Sequence, residues 1–213
     1  VTESEQTLSG DWSDLRGTYD AVAADYAADF VDELEGKPFD RAVLEALAGQ
    51  VPRRGLVADV GCGPAAQVGA YVRGLGRRVV GVDLSPVCAA RAPMPAVAGD
   101  LAALPLRAAS LDAVVCFYAL IHLPRARVPQ AVAELRRVLV PGGRLVLAVH
   151  RGTAEIVERG WYGRDVTFRA TLFERSELHG LLAAAGFSDV RVASREPYPQ
   201  EHPTRRLYAT ARG

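Results

Sequence analysis

Between residues 15 and 47 apolar side chains recur at helical spacing, with Tyr19, Val22, Ala23, Tyr26, Ala27 and Phe30 in one set and Val43, Leu44 and Leu47 in the next. The break falls at Gly36-Lys37-Pro38, so the spacing predicts two helices ahead of the main fold. From residue 55 the period changes. Short apolar runs at 55–60, 78–82, 96–98, 111–117 and 144–150 read as strands, and helical patterns stand at 64–75 and 125–139, with a Pro141-Gly142-Gly143 turn before the fifth run. Strands alternating with helices imply parallel pairing through right-handed crossovers, with helices on both faces. A further helix is expected near 176–185, stopped by Gly186, followed by β-rich runs at 189–195 and 205–211 that pair antiparallel at the sheet edge. The expected fold is therefore α/β: a doubly wound, mostly parallel seven-stranded sheet with an antiparallel C-terminal edge. A helical cap over residues 1–50 is read as part of the same domain as the core at 51–213.

Composition narrows the function. With 213 residues, 49% of them apolar, the chain can bury one good core. Its formal net charge is zero, which removes the bulk attraction that nucleic acid or an anionic membrane would need. The apolar run at 145–149 is far too short to span a bilayer, and residues 1–15 are polar and acidic rather than signal-like, so a cytoplasmic protein is expected. Three cysteines without metal-ligand spacing, Cys62, Cys88 and Cys116, read as small buried residues. No metal site is expected.

The first strand runs into Asp59-Val60-Gly61-Cys62-Gly63-Pro64-Ala65-Ala66, which fits a G-x-G-x-x-G/A loop, with Asp83 at the end of the second strand. Glycines at 61 and 63 let the backbone approach a ligand, and Pro64 suits the first turn of the next helix. Asp83 can accept from both hydroxyls of a ribose. Asp59 decides between cofactors, since a carboxylate before the glycine turn repels a diphosphate on the helix N-terminus and favours an ammonium.

These residues, with Tyr-Asp-x-x-Ala-x-x-Tyr at 19–26, Val-Gly-Val-Asp-Leu-Ser at 80–85, Gly99-Asp100-Leu101, the runs 117–123 and 135–143, and Ala185-Gly186-Phe187, resemble the class I S-adenosylmethionine-dependent methyltransferase family over roughly residues 19–212. The resemblance implies a Rossmann-like fold and S-adenosylmethionine as cofactor, with S-adenosylhomocysteine as product. It assigns the methionine end to Asp59, Gly61, Cys62 and Gly63, the ribose to Asp83, and the adenine amino group to Asp100 beside Gly99. Leu84 and Leu101 would sandwich the adenine, Phe117 and Tyr118 would border the pocket, and Tyr19 and Tyr26 would close over the cofactor from the cap. One departure is Ala65, where many members carry a third glycine.

Methyl transfer mainly requires alignment of the nucleophile and exclusion of water. His122 and His150, at the carboxyl ends of the fourth and fifth strands, are the candidate general bases. Trp161 and Tyr162, within a 151–175 segment expected to cover the acceptor, and Tyr198 near the C-terminus, are the candidate substrate contacts, whereas the charges at 195–206 are expected to pair on the surface. No basic stripe and no Asn/Asp-Pro-Pro-aromatic motif after the fourth strand favour a nucleic-acid acceptor, so a small molecule is expected. An Arg- and Ala-rich chain of this size fits bacterial secondary metabolism, as a monomer or homodimer. The rivals are an NAD(P)-dependent oxidoreductase on the same glycine loop, opposed by Asp59 and by Lys37 being the only lysine, and a catalytically inactive S-adenosylmethionine-binding protein.

Overall fold

The computed structural model describes residues 14–213, so the reading of the segment before Asp14 lies outside the described residues. Helices α1 (Leu15–Phe30) and α2 (Pro38–Gln50) flank a short 3-10 turn at Glu33–Gly36, where the sequence pattern breaks. Pro38 occupies the first turn of α2, where a missing N–H costs nothing. There follow β1 (Leu56–Val60), α3 (Gln67–Gly74), β2 (Arg78–Asp83), α4 (Pro86–Arg91), β3 (Ala96–Ala98), β4 (Leu111–Phe117), α5 (Val128–Val138) and β5 (Leu139–His150). The chain closes with a hairpin of β6 (Glu155–Arg159) and β7 (Thr167–Thr171), then α6 (Arg175–Ala184), β8 (Ser188–Arg195) and β9 (Arg206–Arg212).

Seven strands form one sheet in the order β3-β2-β1-β4-β5-β9-β8. Neighbours among β1 to β5 run parallel, and β9 is antiparallel to both β5 and β8. Alternate residues of the central strands feed two cores. Val114, Cys116, Leu145 and Leu147 pack on one face with α5 and α6, while Val57, Ala113, Val115 and Val146 pack on the other with α2 and α3. Strand order reverses between β1 and β4, and that switch point opens a crevice at the carboxyl ends of the strands.

Several elements depart from the sequence pattern. Helix α3 starts at Gln67 rather than at Pro64, because Ala66 takes a left-handed conformation (φ 43°) that delays the first turn. The Pro141-Gly142-Gly143 turn is absorbed into β5 as an irregularity, where the pairing with β4 jumps from Leu111↔Leu139 to Ala113↔Arg144 and Gly142 takes φ 79°. Segment 151–175 is mostly a β-hairpin, tied to α1 by Thr18 Oγ1 donating to Thr167 O at 3.3 Å and by an Arg164–Asp25 ion pair at 2.7 Å. All three cysteines are free and buried. Among the described residues no helix is long and apolar enough to cross a membrane.

Candidate active site

The crevice is a cavity of about 370 Å³, within the size range of small-ligand sites. It collects thirteen predicted cofactor residues, namely Tyr19, Tyr26, Asp59, Gly61, Cys62, Gly63, Asp83, Leu84, Gly99, Asp100, Leu101, Phe117 and Tyr118, together with His122, His150 and Trp161.

The glycine loop is held by its own bonds. Gly61 and Cys62 N–H both donate to Val82 O, at 2.7 and 3.1 Å, and Gly63 N–H donates to Asp83 Oδ2 at 2.8 Å. Those amides are therefore already committed, and a diphosphate would find Asp59 instead of free donors. Gly61 has φ 76° and a Cβ there would stand 2.1 Å from Ala119 Cβ, so only glycine fits. Asp83 also accepts from Ser85 N–H at 2.9 Å through Oδ1, which leaves lone pairs on both oxygens for a diol. Burial raises its carboxyl above the usual range.

Asp59 is 2% exposed and accepts one hydrogen bond, from Gly69 N–H at 2.8 Å. Burial pushes its carboxyl up to about 7, the Gly69 bond pulls it back, and Asp83 adds to the rise. A buried acid with spare acceptor capacity on a cavity wall is suited to a cationic group. The donor set thus fits an amino-acid nucleoside: an acid for the ammonium, Asp83 for the ribose, and Leu84 and Leu101 for a flat base. Asp100 is more engaged than the resemblance implies, since it accepts from Ala102 N–H at 2.8 Å and pairs with Arg127 at 2.9 Å.

The opposite wall is aromatic. Tyr19 makes edge contacts with Tyr26 and Trp161 at 5.8 and 5.6 Å between ring centres, and Tyr26 stacks on Phe30 at 4.2 Å. The hairpin turn Trp161–Gly163 brings Trp161 to this cluster, also 5.1 Å from Phe168. His122, in a short 3-10 turn after β4, has Nδ1 2.8 Å from Arg169 O and Nε2 2.7 Å from Tyr19 Oη. A carbonyl only accepts, so Nδ1 carries the proton and Nε2 accepts from Tyr19. Burial lowers the His122 imidazolium pKa to about 4 and raises the Tyr19 phenol, so both are neutral at rest.

His150 lies in the cavity beside Tyr118, its Nδ1 2.7 Å from Thr204 Oγ1. Burial first, then the Arg206 charge, lower its pKa to about 3. Of the charges at 195–206, Arg205 and Glu196 pair on the surface as expected, whereas Arg195, Glu201 and Arg206 turn inward. The Glu201 side chain is buried and bonds Arg195 twice, at 2.6 and 2.8 Å, and Lys37 at 2.9 Å, while Asp40 holds Arg195 and Tyr208, each at 2.9 Å. Lys37, Glu33, Glu201 and Arg206 all line the cavity, a contribution missed at the sequence level, where Lys37 stood out only as the single lysine. Two predicted substrate residues lie outside the lining. Tyr162 reaches Asp29 at 2.7 Å and pins the hairpin to α1, and Tyr198 accepts from Phe39 N–H at 3.1 Å beneath the Arg195 guanidinium. Among the described residues no group of three or more His, Cys, Asp or Glu is placed to hold a metal.

Residues 58–147, which carry the glycine loop, Asp83, Asp100 and His122, match the methyltransferase domain family. The chain carries a methyltransferase domain. This methyltransferase domain is 38% identical over 156 residues to a probable S-adenosylmethionine-dependent methyltransferase of Mycolicibacterium smegmatis, an alignment covering 69% of this chain and 52% of that protein. It is 32% identical over 155 residues to a malonyl-[acyl-carrier protein] O-methyltransferase of Serratia marcescens, covering 69% and 54%. The chain spans about half the length of these curated relatives. A Burkholderia thailandensis 1,6-didemethyltoxoflavin-N1-methyltransferase, solved with 1,6-didemethyltoxoflavin and S-adenosylhomocysteine, shares the fold at a TM-score of 0.69 and 24% identity, covering 93% of this chain and 86% of that one.

Proposed function

We propose that this chain methylates a small-molecule acceptor, with S-adenosylmethionine as methyl donor. The observation that carries the reading is one cavity whose walls hold a buried, under-bonded Asp59, the diol acceptor Asp83 and a neutral Tyr19–His122 pair. When bound, S-adenosylmethionine supplies an electrophilic methyl group on a sulfonium. Asp59 and the loop at Gly61, Cys62 and Gly63 would hold its amino-acid end, Asp83 the ribose, Leu84 and Leu101 the adenine, and Asp100 with Gly99 the rim around that base. Tyr26 and Trp161 close the cavity against water and offer ring faces that suit a sulfonium.

The acceptor proton leaves by a defined route. The Tyr19 oxygen takes it from the acceptor while the Tyr19 proton passes to His122 Nε2, so one acceptor–hydrogen bond breaks and one N–H bond forms. A base with a pKa of about 4 takes a proton only from a group already made acidic by bond formation to carbon, which ties proton loss to transfer. The spent loop amides argue against the dinucleotide rival.

The test is calorimetric titration of the purified protein with S-adenosylhomocysteine, NAD and NADP in parallel. Micromolar binding of S-adenosylhomocysteine alone is expected; binding of a nicotinamide cofactor in its place overturns the reading.

A further inference from the structure

Arg206 lines the cavity, and among the described residues it is the one cation of the buried charge cluster that donates no hydrogen bond to an acid. It is 3% exposed, and Nη1 donates to His202 O at 2.9 Å, to Thr204 Oγ1 at 2.8 Å and to Thr204 O, all neutral oxygens. Its Nε has no hydrogen-bond partner among the described residues. Its Nη2 stands 3.8 Å from Glu201 Oε2, beyond hydrogen-bond reach.

Glu201 has no capacity left for it. Oε1 accepts from Arg195 Nη2 at 2.8 Å and from Lys37 Nζ at 2.9 Å, and Oε2 accepts from Arg195 Nη1 at 2.6 Å and Tyr198 N–H at 2.8 Å. A carboxylate offers about four lone-pair sites, and all are filled. The other acids of the cluster are also engaged, Asp40 by Arg195 and Tyr208, and Glu33 by Lys37 and Gln67. Glu201 therefore answers the Arg206 guanidinium only at ion-pair distance, and Nη2 keeps donor capacity that an anion in the cavity would use. Burial and, after it, the Arg206 charge lower the pKa of the neighbouring His150.

We propose that the methyl acceptor carries a carboxylate, and that Arg206 is its recognition residue. The inference rests on the cavity being the acceptor site. The carboxylate would answer the planar guanidinium, and the apolar body of the acceptor would lie toward Trp161, Phe168 and Ile156, which line the same cavity.

The test uses matched pairs on the intact protein: 4-hydroxybenzoate, 3-phenylpropanoate and indole-3-acetate, each against its primary amide. Binding is measured by calorimetry on the protein alone and on protein saturated with S-adenosylhomocysteine. At least one acid should bind about tenfold or more tightly than its amide, as a charge-assisted pair requires. In Arg206→Gln that preference should vanish and in Arg206→Lys it should persist in part, with S-adenosylhomocysteine affinity in both variants reporting an intact fold. Acids that bind no better than amides, no binding by any acid, or a preference surviving in Arg206→Gln would each overturn the proposal. Failure of S-adenosylhomocysteine to bind while acids still prefer Arg206 would instead overturn the methyltransferase reading and leave the anion site standing.

Discussion

The phenol of Tyr19 donates to Nε2 of His122 across 2.7 Å, and the Arg169 carbonyl holds the opposite ring nitrogen at 2.8 Å. The histidine is therefore locked in one tautomer, and its basic nitrogen meets the cavity contents through the tyrosine oxygen. Two residues acting as one relay should not be additive. Tyr19→Phe and His122→Ala are each expected to lower turnover by roughly 10²–10⁴-fold, and the double variant no further. Multiplying losses in single-turnover rates would show independent roles.

Cofactor affinity should depend on pH through Asp59. Its carboxyl, pushed up to about 7 in the free protein, must be ionised to hold an ammonium, so binding lowers its pKa and releases a proton below neutrality. Affinity for S-adenosylhomocysteine should rise as pH increases toward 7 and level off above it. Calorimetry in buffers of different ionisation enthalpy should find close to one proton released near pH 6 and almost none near pH 8. Asp59→Asn should abolish both the proton and most of the affinity.

The buried charge network should dominate stability at the carboxyl end of the sheet. Glu201 serves Arg195 and Lys37, whose side chains are 9% and 3% exposed. Glu201→Gln leaves Arg195 with Asp40 alone and Lys37 with Glu33 alone, and should cost up to about 3–5 kcal/mol, read from urea unfolding midpoints. The exposed Arg205–Glu196 pair, removed in the same way, should cost no more than about 1 kcal/mol.

Gly61 tests the loop. At φ 76° an added Cβ would stand 2.1 Å from Ala119 Cβ, so Gly61→Ala combines a left-handed penalty of about 1–2 kcal/mol with a clash. Loss of S-adenosylhomocysteine binding is expected even where circular dichroism shows the protein folded.

Trp161 and Tyr162 are adjacent yet should behave differently. Trp161→Ala opens the cavity beside Tyr19 and Tyr26 and should raise the acceptor KM and weaken cofactor binding. Tyr162→Phe removes one exposed bond to Asp29 and should leave both within about twofold. Equal losses in steady-state kinetics would put Tyr162 in the site.

The sheet and the cofactor half were legible because their signals are local. Apolar runs between turn residues mark β1, β2, β4 and β5, and the chemistry of Asp59, Gly61 and Asp83 sits on adjacent strand ends that the parallel topology must bring together. The hairpin and α4 left weaker traces: α4 has six residues, too few for a helical period, and β6 and β7 carry charged and apolar residues without clean alternation.

Residues close along the chain carry the α/β order, the glycine loop and the motifs of the methyltransferase domain, so these could be read without the fold. Tertiary structure alone decided the acceptor side. Whether Tyr198 lines the cavity or braces α2, whether His122 offers Nε2 or Nδ1, and whether Glu201, Arg195 and Arg206 lie on the surface or in the core depend on contacts such as Arg195 with Asp40, 155 positions apart. Charge and hydrogen-bond chemistry are local in space. Only the packing of α1, α2, the hairpin and β9 around the end of the sheet makes these residues neighbours, leaving Arg206 without a hydrogen bond to any acid among the described residues.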